Sequence, residues 1–199
     1  ADMAGDDPYW LAVNLNMCAV LTCADRVKAA EYAISELGVT KIILDDGFQH
    51  RRMARDLDIV LVDSEKMFGN ENLLPAGPLR EGMEGFKRVH RLVIVSKNVD
   101  HSRAEKLARI MEKKQGISTF VAKVEPDYAY NIITGEHLPR GTKVTALSAI
   151  GQPEQFYQFL KDYDVVQTVT FDDHHQYAAD DISTIEGNII TTEKDAVKL

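Results

Sequence analysis

The apolar run Lys41-Ile42-Ile43-Leu44 ends in two adjacent carboxylates, Asp45 and Asp46. A short buried strand there would deliver both to its C-terminal end, where α/β sheets place their ligands. Hard carboxylate oxygens at that point suit Mg2+ bound to nucleotide phosphates, the arrangement of a Walker B element. Taken alone, an Asp-Asp pair after a strand is more often a turn or a helix cap. The residues behind the pair are more specific. Gly47-Phe48-Gln49-His50-Arg51-Arg52 and Ala54-Arg55-Asp56-Leu57-Asp58 pack polar groups densely after the apolar run. Further on, Leu73-Leu74-Pro75-Ala76-Gly77-Pro78-Leu79-Arg80-Glu81 has too much Pro and Gly for regular structure and reads as a shaped loop. Arg80 on such a loop could clamp a phosphate with its planar fork. The plainer alternative is that Arg80 and Glu81 pair with each other at the surface.

These groups need elements to hold them. Asp25 to Leu37 reads as a helix with Val27, Ala30, Ile34 and Leu37 on one face and Gly38 as its stop. Lys41–Leu44, Asp58–Val62 and Leu92–Val95 read as buried strands. Ser102 is expected to cap a helix, with Glu105 completing a capping box, Leu107, Ile110 and Met111 as the apolar side and Gly116 as the end. This βα alternation implies an α/β fold with a mostly parallel sheet. From Thr119 onward the helical period is lost, and 119–142 reads as a β-ribbon linker. It joins a first lobe, 1–118, which holds the Walker B-like element, to a smaller α/β lobe, 143–199. That second lobe has strands at Val144–Ser148, Val165–Phe171 and Asn188–Thr191, and a helix opened by Pro153 and running to Tyr163.

Four further segments complete a pattern. Gly5-Asp6-Asp7-Pro8, Asp25-Arg26-Val27, Phe171-Asp172-Asp173-His174-His175-Gln176-Tyr177 and Thr192-Glu193-Lys194-Asp195-Ala196-Val197-Lys198 stand in order around the Asp45–Arg52 and Leu73–Glu81 stretches. Together they resemble the signature of the tetraacyldisaccharide 4'-kinases of lipid A biosynthesis. Asp7 departs from that family's Gly-Asp-Glu-Pro spelling. The resemblance implies a phosphate-loop protein of two α/β lobes at the cytoplasmic face of the bacterial inner membrane. It implies transfer of the ATP γ-phosphate, with Mg2+, to the 4'-hydroxyl of an acylated glucosamine disaccharide 1-phosphate. By position, Asp6 resembles the catalytic carboxylate and His174 its partner. Either histidine of the pair could serve, and His174 is favoured because it directly follows the acidic residue of the motif. Asp45 and Asp46 resemble the magnesium-side carboxylates. Arg26, Gln49, His50, Arg80 and Glu81 match positions on the active-site or acceptor side. Asp6 and His174 are far apart in sequence, so lobe closure over the substrate is expected to bring them together.

A Walker A loop needs a Gly-Lys-Ser/Thr run, and no Gly-Lys dipeptide occurs in these residues. In the family that loop precedes the Gly-Asp-Glu element, so it is expected upstream of Ala1. Both ends of the chain look cut, and the piece alone is expected to bind ATP poorly and to turn over little or nothing.

Composition sets outer bounds. The 199 residues carry a net charge of −8, which argues against non-specific nucleic-acid binding. Yet between Pro78 and Lys114 the ten basic residues Arg80, Lys87, Arg88, Arg91, Lys97, Arg103, Lys106, Arg109, Lys113 and Lys114 face only five acids. Such a stretch suits an anionic substrate or an anionic membrane surface. Two cysteines, Cys18 and Cys23, make no disulfide framework and no four-ligand zinc site, pointing to a reducing compartment. Apolar runs are strand-sized and none is long enough to span a membrane. His90, His101 and His137 have no partner pattern and are expected at the surface. Tyr9 and Trp10 are expected to fill core rather than touch lipid. Two other functions fit parts of the pattern. Asp173-His174-His175 with Asp45, Asp46 and His50 could form a two-metal phosphoesterase site. A chain without a phosphate loop could also bind the lipid disaccharide without phosphorylating it.

Overall fold

A computed structural model describes residues 5–97, 100–173 and 175–199. They form two compact units, one of Cys23–Glu125 and one that joins Ala1–Thr22 to Pro126–Leu199. Helix α1 (Asp6–Asn14) belongs to the second of these.

In the Cys23–Glu125 unit, helix α2 (Arg26–Leu37) starts where expected because the Asp25 carboxylate accepts from Val27 N at 3.1 Å. It ends where Gly38 turns left-handed, at φ 61°. Strands β1 (Ile59–Asp63), β2 (Arg91–Ser96) and β3 (Thr119–Lys123) then form a wholly parallel sheet in that order. The register sets Val62 beside Ile94, and Ile94 beside Val121. Helix α3 (Ser102–Gln115) packs on β2 and β3 and closes a core of Val62, Leu92, Ile94, Ala104, Ala108 and Met111. Phe68 and Phe86 meet edge to face beside it, ring centroids 5.3 Å apart.

Several expectations change here. Lys41–Leu44 is not a buried strand: it carries no ladder, and Ile43 is 96% exposed. Apolar pattern makes a strand only where a neighbouring backbone pairs with it, and no described strand lies against this run. Strand β1 is buried on one face, through Val60 and Val62, while Leu61 stays 65% exposed. Ser102 does not cap α3. It is the first helical residue, and the Asp100 carboxylate takes its amide at 2.9 Å and its hydroxyl at 3.0 Å. The apolar side of α3 is built on Ala104, Ala108 and Met111, with Ile110 turned outward. Thr119–Lys123 belongs to the first sheet as its third strand rather than to a ribbon. Between Pro126 and Arg140 the described pairing is a single antiparallel bridge, Tyr130 to His137.

The other unit centres on β4 (Lys143–Ser148), flanked by β5 (Asp164–Thr170) and β6 (Asn188–Ile190), all parallel. Val144 to Ser148 are all buried, the unbroken run expected of a central parallel strand. Helix α4 (Pro153–Phe159) has Pro153 at its start and is shorter than the expected run to Tyr163. Helices α5 (Ala179–Ser183) and α6 (Glu193–Ala196) follow β5 and β6. Val144, Ala146, Leu160 and Ile190 form the core, with Phe156 and Tyr157 against it. Helix α1 packs against α6, so residues 1–22 group with this C-terminal sheet and not with the first.

Candidate functional site

In the Cys23–Glu125 unit the residues singled out by the sequence gather around two loops. Asp45 and Asp46 sit exposed in a turn, and Asp46 holds a left-handed backbone, φ 47°, which aspartate tolerates better than most side chains. The Arg80 guanidinium meets Asp46 Oδ2 at 2.5 Å. That contact, through its hydrogen bond and its charge, raises the arginine pKa. Arg80 and Glu81 therefore do not pair with each other.

The loop that carries Arg80 is shaped as expected. Asn70 donates to Ala76 O at 2.9 Å, Gly77 N to Leu73 O at 3.0 Å and Leu74 N to Leu79 O at 2.9 Å. A Cβ at Gly77 would stand 2.1 Å from Asn70 Oδ1 and 2.4 Å from Asn72 O, so glycine lets the loop close.

Glu81 is a hub. It accepts from Gln49 Nε2 at 3.1 Å, Arg51 Nη2 at 2.9 Å and Arg88 Nη2 at 2.9 Å. Burial pushes its carboxyl up, but the hydrogen bonds from Arg51, Arg88 and Gln49 outweigh this and hold it below the usual glutamate range. Arg88 also covers the Phe48 ring, 4.4 Å from its centroid. Arg55 ties the segment to the start of β1 through Asp58 Oδ1 and His50 O, both at 2.7 Å. His50 Nε2 is buried with no hydrogen-bond partner among the described residues. Arg26 opens α2 and turns back on the carbonyls of Cys23 and Ala24, apart from the other singled-out residues.

Replacing Glu81 by Gln is expected to lower stability by about 1–3 kcal/mol at neutral pH, because half-buried Arg88 loses its counterion. The folded carboxyl lies below its ordinary 4.5, so its contribution is present above that pH and lost as pH falls through the folded value. Urea unfolding of wild type and Glu81→Gln should therefore converge in acid. A constant gap across that window would show that the carboxylate's charge is not what holds the hub.

Asp6 lies in the other unit. It is the first residue of α1, follows Gly5 at φ 85°, and its side chain is only 9% exposed. Lys198 approaches Asp6 Oδ2 at 3.6 Å and Asp195 Oδ1 at 3.0 Å, with no side-chain exposure of its own. Asp195 Oδ2 accepts from Ala149 N and Thr192 Oγ1, each at 3.0 Å. Lys194 meets Asp7 Oδ1 at 3.1 Å. The Gly-Asp-Asp-Pro segment and the Thr-Glu-Lys-Asp run, at opposite ends of the chain, thus meet through two lysine–aspartate pairs. No lobe closure is needed to join Asp6 to the C-terminal unit. Sequence reading missed Lys194, Asp195 and Lys198 as partners. The signal available was the Asp195/Lys198 spacing of three, which puts both on one turn.

His174 lies outside the described residues. His175 is engaged by Asp181 Oδ2 at 2.9 Å and stacks on Phe171, centroids 4.4 Å apart. Burial, with the Asp195 charge next, pushes the Tyr177 hydroxyl well up. Among the described residues no group of three His, Cys, Asp or Glu side chains could hold a metal ion. His101 is not the unpartnered surface residue expected, since its Nδ1 lies 2.9 Å from Ser96 Oγ. His90 accepts from Asp58 N at 3.0 Å, and exposed His137 stacks on Tyr128. Trp10 is partly buried, with its Nε1 enclosed.

Comparison with known proteins adds an independent line. The family model described as Tetraacyldisaccharide-1-P 4'-kinase matches residues 1–199. A tetraacyldisaccharide 4'-kinase from Halothermothrix orenii is 36% identical over 222 residues, covering 98% of this chain and 57% of the relative. One from Shewanella woodyi is 36% identical, covering all of this chain and 54% of the relative. The chain therefore spans a little over half the length of these curated relatives. A crystal structure described as the "apo" form of LpxK from Aquifex aeolicus in complex with ATP superposes with a TM-score of 0.68 at 30% identity, over 98% of this chain and 60% of that one. Its fold is the same α/β arrangement with parallel sheets, and the chain belongs to the tetraacyldisaccharide-1-P 4'-kinase family.

Proposed function

We propose that this chain carries the acceptor-activating and metal-side groups of a kinase that moves the ATP γ-phosphoryl to the 4'-hydroxyl of a tetraacylated glucosamine disaccharide 1-phosphate. The observation that carries the reading is Asp6, a nearly enclosed carboxylate clasped by Lys198 at the head of α1, in a chain that matches the kinase family throughout. Phosphoryl transfer asks the protein for positioning and charge neutralisation more than for covalent help. Asp6 accepts the proton of the attacking hydroxyl. His174 is its partner, a choice supported by the engagement of His175 with Asp181.

Asp45 and Asp46 offer two exposed hard carboxylates side by side, a donor set that fits Mg2+ with its retained waters. Bound there, the ion would neutralise charge on the nucleotide phosphates. Arg80, now on Asp46, is placed to exchange that carboxylate for a phosphate oxygen. Glu81 fixes Gln49 and the Arg51 and Arg88 guanidiniums, and the family resemblance assigns His50 and Arg26 to the active-site or acceptor side.

No helix among the described residues is long and apolar enough to cross a membrane. The acylated acceptor is reached by peripheral contact at the cytoplasmic face of the inner membrane. The outer side of α3 supports this, because Lys106, Arg109, Lys113 and Lys114 are exposed around an outward-facing Ile110.

The deciding assay uses the full-length protein that contains this chain. Mg2+-dependent transfer from ATP to the tetraacyl disaccharide 1-phosphate is expected, with none in the presence of a chelator. Acceptor binding without transfer would favour the non-catalytic lipid-disaccharide-binding reading, which the family match does not favour.

A further inference from the structure

The proposed chemistry leaves the C-terminal Thr192–Lys198 run without a role, yet its last charged residue is fully enclosed. An ammonium taken out of water costs several kcal/mol, roughly, unless carboxylates and good geometry compensate. Lys198 has Asp195 on its own turn at 3.0 Å, and Asp195 is itself pinned by Ala149 N and Thr192 Oγ1. From that anchor the ammonium reaches to Asp6 at 3.6 Å. The longer contact lies beyond hydrogen-bond reach, so the lysine gives Asp6 charge rather than a donated proton bond. A fixed cation beside a carboxylate restricts its orientation, and a proton acceptor must be aimed at the hydroxyl it serves.

We propose that Lys198 is a positioning residue for Asp6, holding the carboxylate aimed, with Asp195 as the anchor that keeps the ammonium in place. The proposal rests on reading Asp6 as the acceptor of the hydroxyl proton. Among the described residues, several other charged or titratable groups on the packed elements have partners of their own, Glu193 of α6 accepting from the Tyr130 hydroxyl at 2.8 Å. On α1, Asp7 is paired with Lys194 of α6. On the turn after α6, Lys198 itself is shared with Asp195. In the segment after β5, Tyr177 places its ring 5.9 Å from the Lys198 ammonium, and His175 is held by Asp181.

The test measures kcat and KM for Lys198→Met and Lys198→Arg in the full-length protein. In Lys198→Met, kcat should fall about 10–100-fold with KM for both substrates nearly unchanged. Lys198→Arg keeps the charge, so it should recover most of the kcat that Lys198→Met loses. It also decides the matter should Lys198→Met not fold, since a folded Lys198→Arg as inactive as Asp6→Asn contradicts the proposal. A folded Lys198→Met with kcat unchanged, or with KM raised and kcat kept, overturns it as well. Asp6→Asn run alongside separates the two failures. Turnover retained there removes the Asp6 reading itself. An inactive Asp6→Asn beside a wild-type-like Lys198→Met removes the Lys198 proposal alone.

Discussion

Asp6→Asn in the full-length kinase is expected to lower kcat by about a thousandfold, with KM for ATP and acceptor changed little. The substitution preserves shape and removes the carboxylate proposed to accept the hydroxyl proton. It should not unfold the protein, because Lys198 keeps its nearer partner Asp195 at 3.0 Å after the 3.6 Å contact to Asp6 is lost. A stability loss of about 1–2 kcal/mol is the expected scale. The separation of the two effects is the point of the experiment. A carboxylate placed only to cap α1 would cost stability on replacement and leave kcat intact. One that takes a proton from the attacking hydroxyl would do the reverse. Steady-state kinetics beside thermal unfolding of the same preparation reads both. A kcat within about tenfold of wild type would remove Asp6 from the chemistry, since general-base catalysis contributes more than that.

Elements whose boundaries are set locally were legible in the sequence. Asp25 and Gly38 carry the start and stop of α2 in their own side chain and backbone, and the structure uses both. Val144–Ser148 read as a strand, and the structure buries that run throughout, Thr145 and Ser148 included. What failed depends on distant partners. Lys41–Leu44 has a strand's spelling, but nothing in the spelling reports whether another backbone lies beside it. Thr119–Lys123 has the same spelling and is a strand, because β2 is there to pair with it. The cap of α3 was misplaced by one residue: His101 holds the cap position without a side-chain cap bond, while Asp100 takes the Ser102 amide.

The site divides along the same line. Asp45, Asp46, Gln49, Arg80 and Glu81 could be named because they crowd two short segments, and the structure does join Asp46 to Arg80 and Gln49 to Glu81. Which carboxylate each arginine would choose was not legible. Nor was the meeting of Asp6 with Lys198, because a contact between opposite ends of the chain leaves no local pattern.

Asp195→Ala should be the most damaging single change to the fold of the C-terminal unit, lowering stability by about 3–5 kcal/mol. The side chain is fully buried and accepts from Ala149 N, Thr192 Oγ1 and Lys198 Nζ. Its removal strands an amide and leaves an enclosed ammonium, among the described residues, with the more distant Asp6 as its carboxylate partner. Ala149 directly follows β4, so the bond from its amide ties the central strand to the turn after β6. Asp195→Asn keeps an acceptor for the amide but not the charge, and should fall between wild type and Asp195→Ala. Adding Lys198→Met to Asp195→Asn should recover part of the loss, because the charge left unpaired is then gone. Urea unfolding of the four proteins measures these differences directly. If the double variant were no more stable than Asp195→Asn alone, the stranded ammonium would not be the source of that variant's penalty. The charge pair would then serve Asp6 more than the fold. The two ends of the chain are thus expected to be joined by one buried ion system whose cost in stability is tolerated for the carboxylate it holds in place.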